Sequence, residues 1–169
     1  MTEFAALLKL LAESKIEFIV IGGVAASTHG SARSTNDLDV VYARNPDNVA
    51  RLAAGLAPLS PYLRGAAPDL PFRLDAETIR HGLNFTLTTS LGWLDLLGEV
   101  TGGGRYEDLL PNCIRIRVHG VDCLCLNLEK LIEVKRAAGR PKDFDAIAEL
   151  EALREEREKA DKAGARRPL

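Results

Sequence analysis

No apolar run in the sequence approaches the ~20 residues needed to cross a bilayer, and Glu3 stands where a secretory leader would carry its basic region. Neither a membrane span nor export is expected, so the chain reads as cytoplasmic. An excess of one charge is missing too. Lys and Arg number 22 against 24 Asp and Glu, a formal net charge of −2, with both signs spread along the chain. Bulk electrostatics therefore demands neither a nucleic acid nor a membrane surface, and any RNA contact has to be local. Cysteine is scarce. Cys113, Cys123 and Cys125 are odd in number and lack the Cys-x-x-Cys spacing, which reads as small buried hydrophobes in a reducing compartment rather than a zinc site or disulfides. His29, His81 and His119 have no ligand spacing and no Ser-His-Asp arrangement, so histidine catalysis is set aside. Internal repeats and coiled-coil heptads are absent as well. The 169 residues suffice for one domain with a real core and are too few for two ordinary ones.

What is present concentrates between Phe18 and Tyr42. Phe18-Ile19-Val20-Ile21 is an apolar, β-branched run that stops at Gly22-Gly23, the pattern of a buried strand ending in a tight turn. Val24 to Ser27 are compatible with a short helix whose first amides are free to meet a phosphate, with glycine allowing close approach. Asp37 and Asp39 then lead into Val40-Val41-Tyr42. On an extended strand both carboxylates face one side, about 7 Å apart at Cα. Their mutual repulsion, on the order of 2 kcal/mol at an effective dielectric near 20, calls for a compensating cation. Arg33 and Thr35 share that parity if the chain is already extended there. A phosphate cradle beside paired carboxylates describes a site for a metal-bound nucleotide.

The rest of the chain supplies the frame. Thr2 to Lys15 reads as an amphipathic helix with Thr2 as N-cap, and Pro46 to about Leu56 as a second helix. Residues 58–74 hold four prolines and little periodicity; such a loop is expected near the mouth of the site. Asn84–Thr89 and Trp93–Leu97 form a hairpin signal in which Asp95 is the only charge of an apolar strand, so it has to face something polar. Gly102-Gly103-Gly104 reads as a loose loop. Ile114–Val118 and Val121–Leu126 make another hairpin, with Arg115 and Arg117 on one face. Asn127 caps a helix ended by Gly139, and Pro141 opens the next. Residues 154–169, charged and small, are expected to be a frayed helix and disordered tail after a domain spanning 1–153.

Gly22-Gly23, thirteen intervening residues and Asp37-x-Asp39 resemble the signature of the nucleotidyltransferase superfamily, the DNA polymerase β-like fold. The segment is especially similar to its minimal members, including AbiEii-type toxin-like enzymes. Asp95 resembles the third carboxylate of that superfamily, and the run Lys135 to Asp143 looks like the C-terminal segment of the minimal members. The resemblance implies an α/β (α+β) fold with a mixed, mostly antiparallel sheet flanked by helices. It also implies two Mg²⁺ ions held by Asp37, Asp39 and Asp95, and an NTP such as ATP as donor. Gly22, Gly23, Ser27, Arg33, Lys135 and Arg140 would lie at the nucleotide. Ser27 would supply the hydroxyl that Gly23 lacks where the motif often has serine. Lys135 and Arg140 read almost as well as cations satisfying a helix C-terminus. The implied activity is transfer of NMP to an acceptor hydroxyl on tRNA, another RNA or a protein. The setting would be a toxin–antitoxin pair with a cognate antitoxin, and neither DNA nor membrane is expected as a partner. The alternative is a non-catalytic nucleotide-binding or protein-interaction module that retains the fold.

Overall fold

The computed structural model describes residues 1–165. Its sheet is built outward from β1 (Phe18–Ile21), whose four residues are all buried, as a continuous apolar run is when both faces of a strand are covered. The other strands are β2 (Asp37–Tyr42), β3 (Tyr62–Leu63), β4 (Asn84–Thr89), β5 (Gly92–Leu97), β6 (Cys113–Val118) and β7 (Val121–Leu126). They form one seven-stranded sheet in the order β3-β4-β5-β2-β1-β7-β6. Neighbours run antiparallel except at two seams, β2 beside β5 and β1 beside β7. This is the mixed, mostly antiparallel sheet flanked by helices that the resemblance implied.

Alternation along β2 sorts its residues. Leu38, Val40 and Tyr42 are fully buried on one face, each contributing roughly 1.5–3 kcal/mol of hydrophobic stabilisation, while Asp37 and Asp39 turn to the other. The same parity on β5 buries Leu94 and Leu96 and turns Trp93, Asp95 and Leu97 toward the aspartates. Asn48, fully buried, ties the entrance of β1 to the exit of β2. Its side-chain oxygen accepts from the Glu17 amide at 2.7 Å, and its Nδ2 donates to the Ala43 and Glu17 carbonyls at 2.7 and 3.1 Å.

Helices α1 (Phe4–Glu13), α3 (Pro46–Leu56) and α4 (Ala76–His81) pack in succession, while α2 (Gly22–Thr28) lies against β1, β2 and α6 (Leu128–Ala138). Between them come the short α5 (Tyr106–Leu109) and, last, α7 (Phe144–Ala165), which pairs with α6. Asn45, Asp75 and Asn127 cap α3, α4 and α6 by accepting from backbone amides, which leaves fewer donors orphaned at the helix starts. No helix among the described residues is long and apolar enough to cross a membrane.

Several expectations are corrected. Thr2 does not cap α1, whose N-cap position is Glu3. Its hydroxyl instead donates to the Asn36 carbonyl and accepts from the Trp93 amide, tying the start of the chain across β2 and β5. Gly102 to Gly104 is no loose loop but a tight turn in which the Val100 and Gly104 backbones exchange two 2.8 Å bonds. The segment from 154, expected as a frayed helix and disordered tail, is helical through Ala165, with 166–169 outside the described residues. Its Ala, Glu, Arg and Lys are good helix formers, and Arg157 donates to the His29 carbonyl at 2.9 Å. His29 is itself structural. It is buried with Nε2 at 2.7 Å from the Leu126 carbonyl, and burial pushes its pKa below the usual value. Burial raises the Cys113, Cys123 and Cys125 thiols to about 11, 11 and 12, so they remain protonated and inert, as small buried hydrophobes should.

Candidate functional site

The parallel seam between β2 and β5 sets Asp39 directly beside Asp95 and Asp37 beside Trp93. One carboxylate oxygen from each of Asp37, Asp39 and Asp95 lies within 4.8 Å of the other two. The three acids predicted as metal ligands are thus brought together on one sheet face. The turn after β1 makes room for them. Gly22 adopts φ +66°, and a Cβ added there would stand 2.1 Å from Asp39 Oδ2. Only glycine satisfies both the left-handed backbone and the approach of that carboxylate.

Crowding changes the acids. Burial, then the charges of Asp37 and Asp95, raise the Asp39 pKa to about 7, against opposing pulls from Lys135 and Arg140. Burial also raises Asp95, with the Arg64 guanidinium pulling it back down. Three partly buried carboxylates with hard oxygen donors and a backbone shaped around one of them fit a divalent cation such as Mg²⁺. Beside them opens a pocket of about 410 Å³ lined by Gly22, Asp39, Asp95, Leu97, Lys135 and Arg140 among others. A larger groove of about 560 Å³ between α1 and the β6–β7 turn shares no residue with it.

The structure distributes the remaining candidates unevenly. Lys135 and Arg140 line the pocket. Burial lowers the pKa of Lys135, partly offset by the charges of Asp143 and Asp39, and Arg140 Nε donates to Asp143 Oδ2 at 2.6 Å. Arg33 is not beside the aspartates. The chain at 33–36 is not strand, and the guanidinium turns to Glu149 at 3.3 Å and Asp145 at 3.7 Å on α7. Ser27, in the last turn of α2, donates to the Arg33 carbonyl at 3.5 Å and does not line the pocket. The hydroxyl near Gly23 comes from Thr35 instead. A Cβ at Gly23 would lie 2.6 Å from Thr35 Oγ1, which donates to Asp37 Oδ1 at 3.0 Å.

One residue was missed. Arg64, just after β3 in the proline-rich segment, extends its guanidinium over the cluster, with Nη2 2.7 Å from Asp95 Oδ1 and Nη1 3.6 Å from Asp37 Oδ2. Nη2 also donates to the Leu87 carbonyl at 3.0 Å, and the group lies 4.6 Å over the Trp93 ring. Periodicity gives no signal there. The available hint is an arginine beside a glycine in the segment expected at the mouth of the site.

Sheet order and acid placement together define the nucleotidyltransferase fold. Solved structures bear this out. A candidate nucleotidyltransferase of Thermotoga maritima superposes with a TM-score of 0.53 at 14% identity, over 88% of this chain and 94% of its own. The antibiotic-resistance factor ANT(2'')-Ia superposes with a TM-score of 0.51 at 15% identity, over 96% of each chain. At such identities the likeness is one of fold. No family model matches the chain, and no curated protein sequence matches it significantly.

Proposed function

We propose that the protein is a Mg²⁺-dependent nucleotidyltransferase that moves NMP from an NTP to an acceptor hydroxyl. The observation that carries this reading is the convergence of Asp37, Asp39 and Asp95 within 4.8 Å beside a pocket lined by Lys135 and Arg140. Two Mg²⁺ ions held by the three aspartates would supply Lewis-acid charge neutralisation at the phosphates. Lys135 and Arg140 bind the anionic triphosphate tail, with Gly22 and Gly23 letting it approach the backbone. Asp95, with its raised pKa, takes the proton of the acceptor hydroxyl as that oxygen attacks the α-phosphorus. The bond to the bridging oxygen breaks, and pyrophosphate leaves. The proposed setting is a toxin–antitoxin pair acting on tRNA or another cellular component, carried by the resemblance of Phe18–Tyr42 and Lys135–Asp143 to the minimal toxin-like members. Likeness in fold to an antibiotic-resistance factor supports a second reading, with a small antibiotic as acceptor.

Incubation of the protein with each labelled NTP, Mg²⁺ and total RNA, whole lysate or an antibiotic panel tests the reading. Label should pass to one acceptor class with wild type and to none with Asp39→Asn. Nucleotide binding without any product identifies the non-catalytic module instead.

A further inference from the structure

Arg64 stands on carboxylates that a divalent cation would need. Its guanidinium spans Asp95 Oδ1 at 2.7 Å and Asp37 Oδ2 at 3.6 Å, two of the three carboxylates in the cluster. A planar fork can bridge two carboxylates in this way, whereas an ammonium acts as a single point charge. A guanidinium and a divalent ion held by the same two carboxylates repel each other, so the metal and Arg64 compete for Asp37 and Asp95. The guanidinium also lies 4.6 Å over the ring of Trp93, which is 42% exposed, so the charge can leave the acids and keep this cation–π partner. Its present pose is not fully satisfied, because the buried Nε has no hydrogen-bond partner. The segment that carries it is lightly held: β3 is a two-residue strand at the edge of the sheet, paired only with β4.

We propose that Arg64 is a built-in competitor for the metal, a positioning residue whose guanidinium holds Asp37 and Asp95 together until a divalent cation displaces it from them and leaves it held by Trp93 alone. This rests on the reading of the aspartates as metal ligands given above. Neutralising the acids internally keeps the cluster folded without metal, and giving up Arg64 makes cation binding weaker than three bare carboxylates would allow.

The test compares Mn²⁺ affinity, measured by calorimetry at pH 8 without nucleotide, in wild type, Arg64→Met, Arg64→Lys and Asp39→Asn. Arg64→Met should bind Mn²⁺ tighter by on the order of tenfold, the worth of one charge-assisted hydrogen bond no longer broken. Arg64→Lys should fall between the two, and it carries the comparison if the methionine variant does not fold. Trp93 is the single tryptophan, so its emission should change when wild type is saturated with Mg²⁺ and should change little in Arg64→Met. A residue that merely pegs β3 to the sheet would alter stability and leave Mn²⁺ affinity and that emission response alone. Equal or weaker Mn²⁺ binding in folded Arg64 variants, with binding abolished in Asp39→Asn, overturns the competitor role and leaves the metal site standing. Absence of Mn²⁺ binding in wild type overturns both.

Discussion

Replacing Asp39 by Asn removes the most perturbed charge at the site and keeps its shape. The Asp39 carboxyl titrates near 3.8 when unperturbed and at about 7 in the fold, chiefly through burial and the neighbouring acids. Between those values the folded protein holds a proton that the unfolded chain has released. Stability from this group is therefore greatest at low pH, declines as pH rises from about 4 to about 7, and is flat above. Each unit of that window is worth about 1.4 kcal/mol. From pH 5 to pH 8, wild type should lose about 3 kcal/mol relative to Asp39→Asn, the carboxamide having nothing to titrate. No side-chain hydrogen bond to Asp39 exists among the described residues to be lost in compensation. The measurement is urea denaturation of both proteins at pH 5, 6, 7 and 8 in EDTA, repeated with Mg²⁺ and NTP. In EDTA at pH 8 the mutant should be the more stable protein, and adding Mg²⁺ with NTP should reverse the order by stabilising wild type alone. A mutant that is less stable at pH 8 in EDTA, with a difference independent of pH, would refute the account of a crowded, metal-seeking carboxylate.

Three further outcomes are expected. Gly22→Ala should cost roughly 1–3 kcal/mol of stability and abolish transfer, because its methyl meets Asp39 Oδ2 at 2.1 Å on a backbone at φ +66°; chemical denaturation and transfer assays read the two effects. Lys135→Met should weaken NTP binding by about 1.5–3 kcal/mol, the worth of a hydrogen bond to a charged group, with little loss of fold, as titration calorimetry with a non-hydrolysable NTP will show. Asn48→Ala should do the reverse. It leaves the Glu17 and Ala43 backbone groups without partners, lowering stability by about 2–4 kcal/mol while the NTP affinity of the remaining folded protein stays unchanged.

What the sequence discloses about the site is what local rules control. The β-branched run ending at Gly22-Gly23 and the parity of Asp37 and Asp39 each depend on neighbours a few residues away, and an acid alone in the apolar strand Trp93–Leu97 reveals itself by its cost. Arg64, Arg33 and Thr2 escape such rules because their partners are distant in sequence. Arg64 meets Asp95 across 31 residues, Arg33 meets Glu149 on α7, and Thr2 finds Asn36 and Trp93. One helical turn beyond Gly23 points to Ser27, but α2 carries it to the end away from the pocket, and Thr35 comes next to Gly23 by the return of the loop. The charged, small residues after 153 point to a fraying, disordered end, whereas helix propensity and the tie from Arg157 to the His29 carbonyl favour a helix through Ala165.

The seam between β2 and β5 also bears on the order in which the fold is expected to form. β1–β2 and β4–β5 are each antiparallel pairs closed by contacts between chain segments close in sequence. The seam joining them is parallel and links Asp39 to a residue some fifty positions onward. Pairings of short sequence separation form fast, and long-range parallel ones form slowly. A folding chain is therefore expected to make both halves before the carboxylate cluster exists, and the third carboxylate to arrive only when the two halves dock. Assembly of the carboxylate cluster coincides with completion of the sheet, so under the proposed activity a partly folded molecule would have no assembled site with which to consume nucleotide.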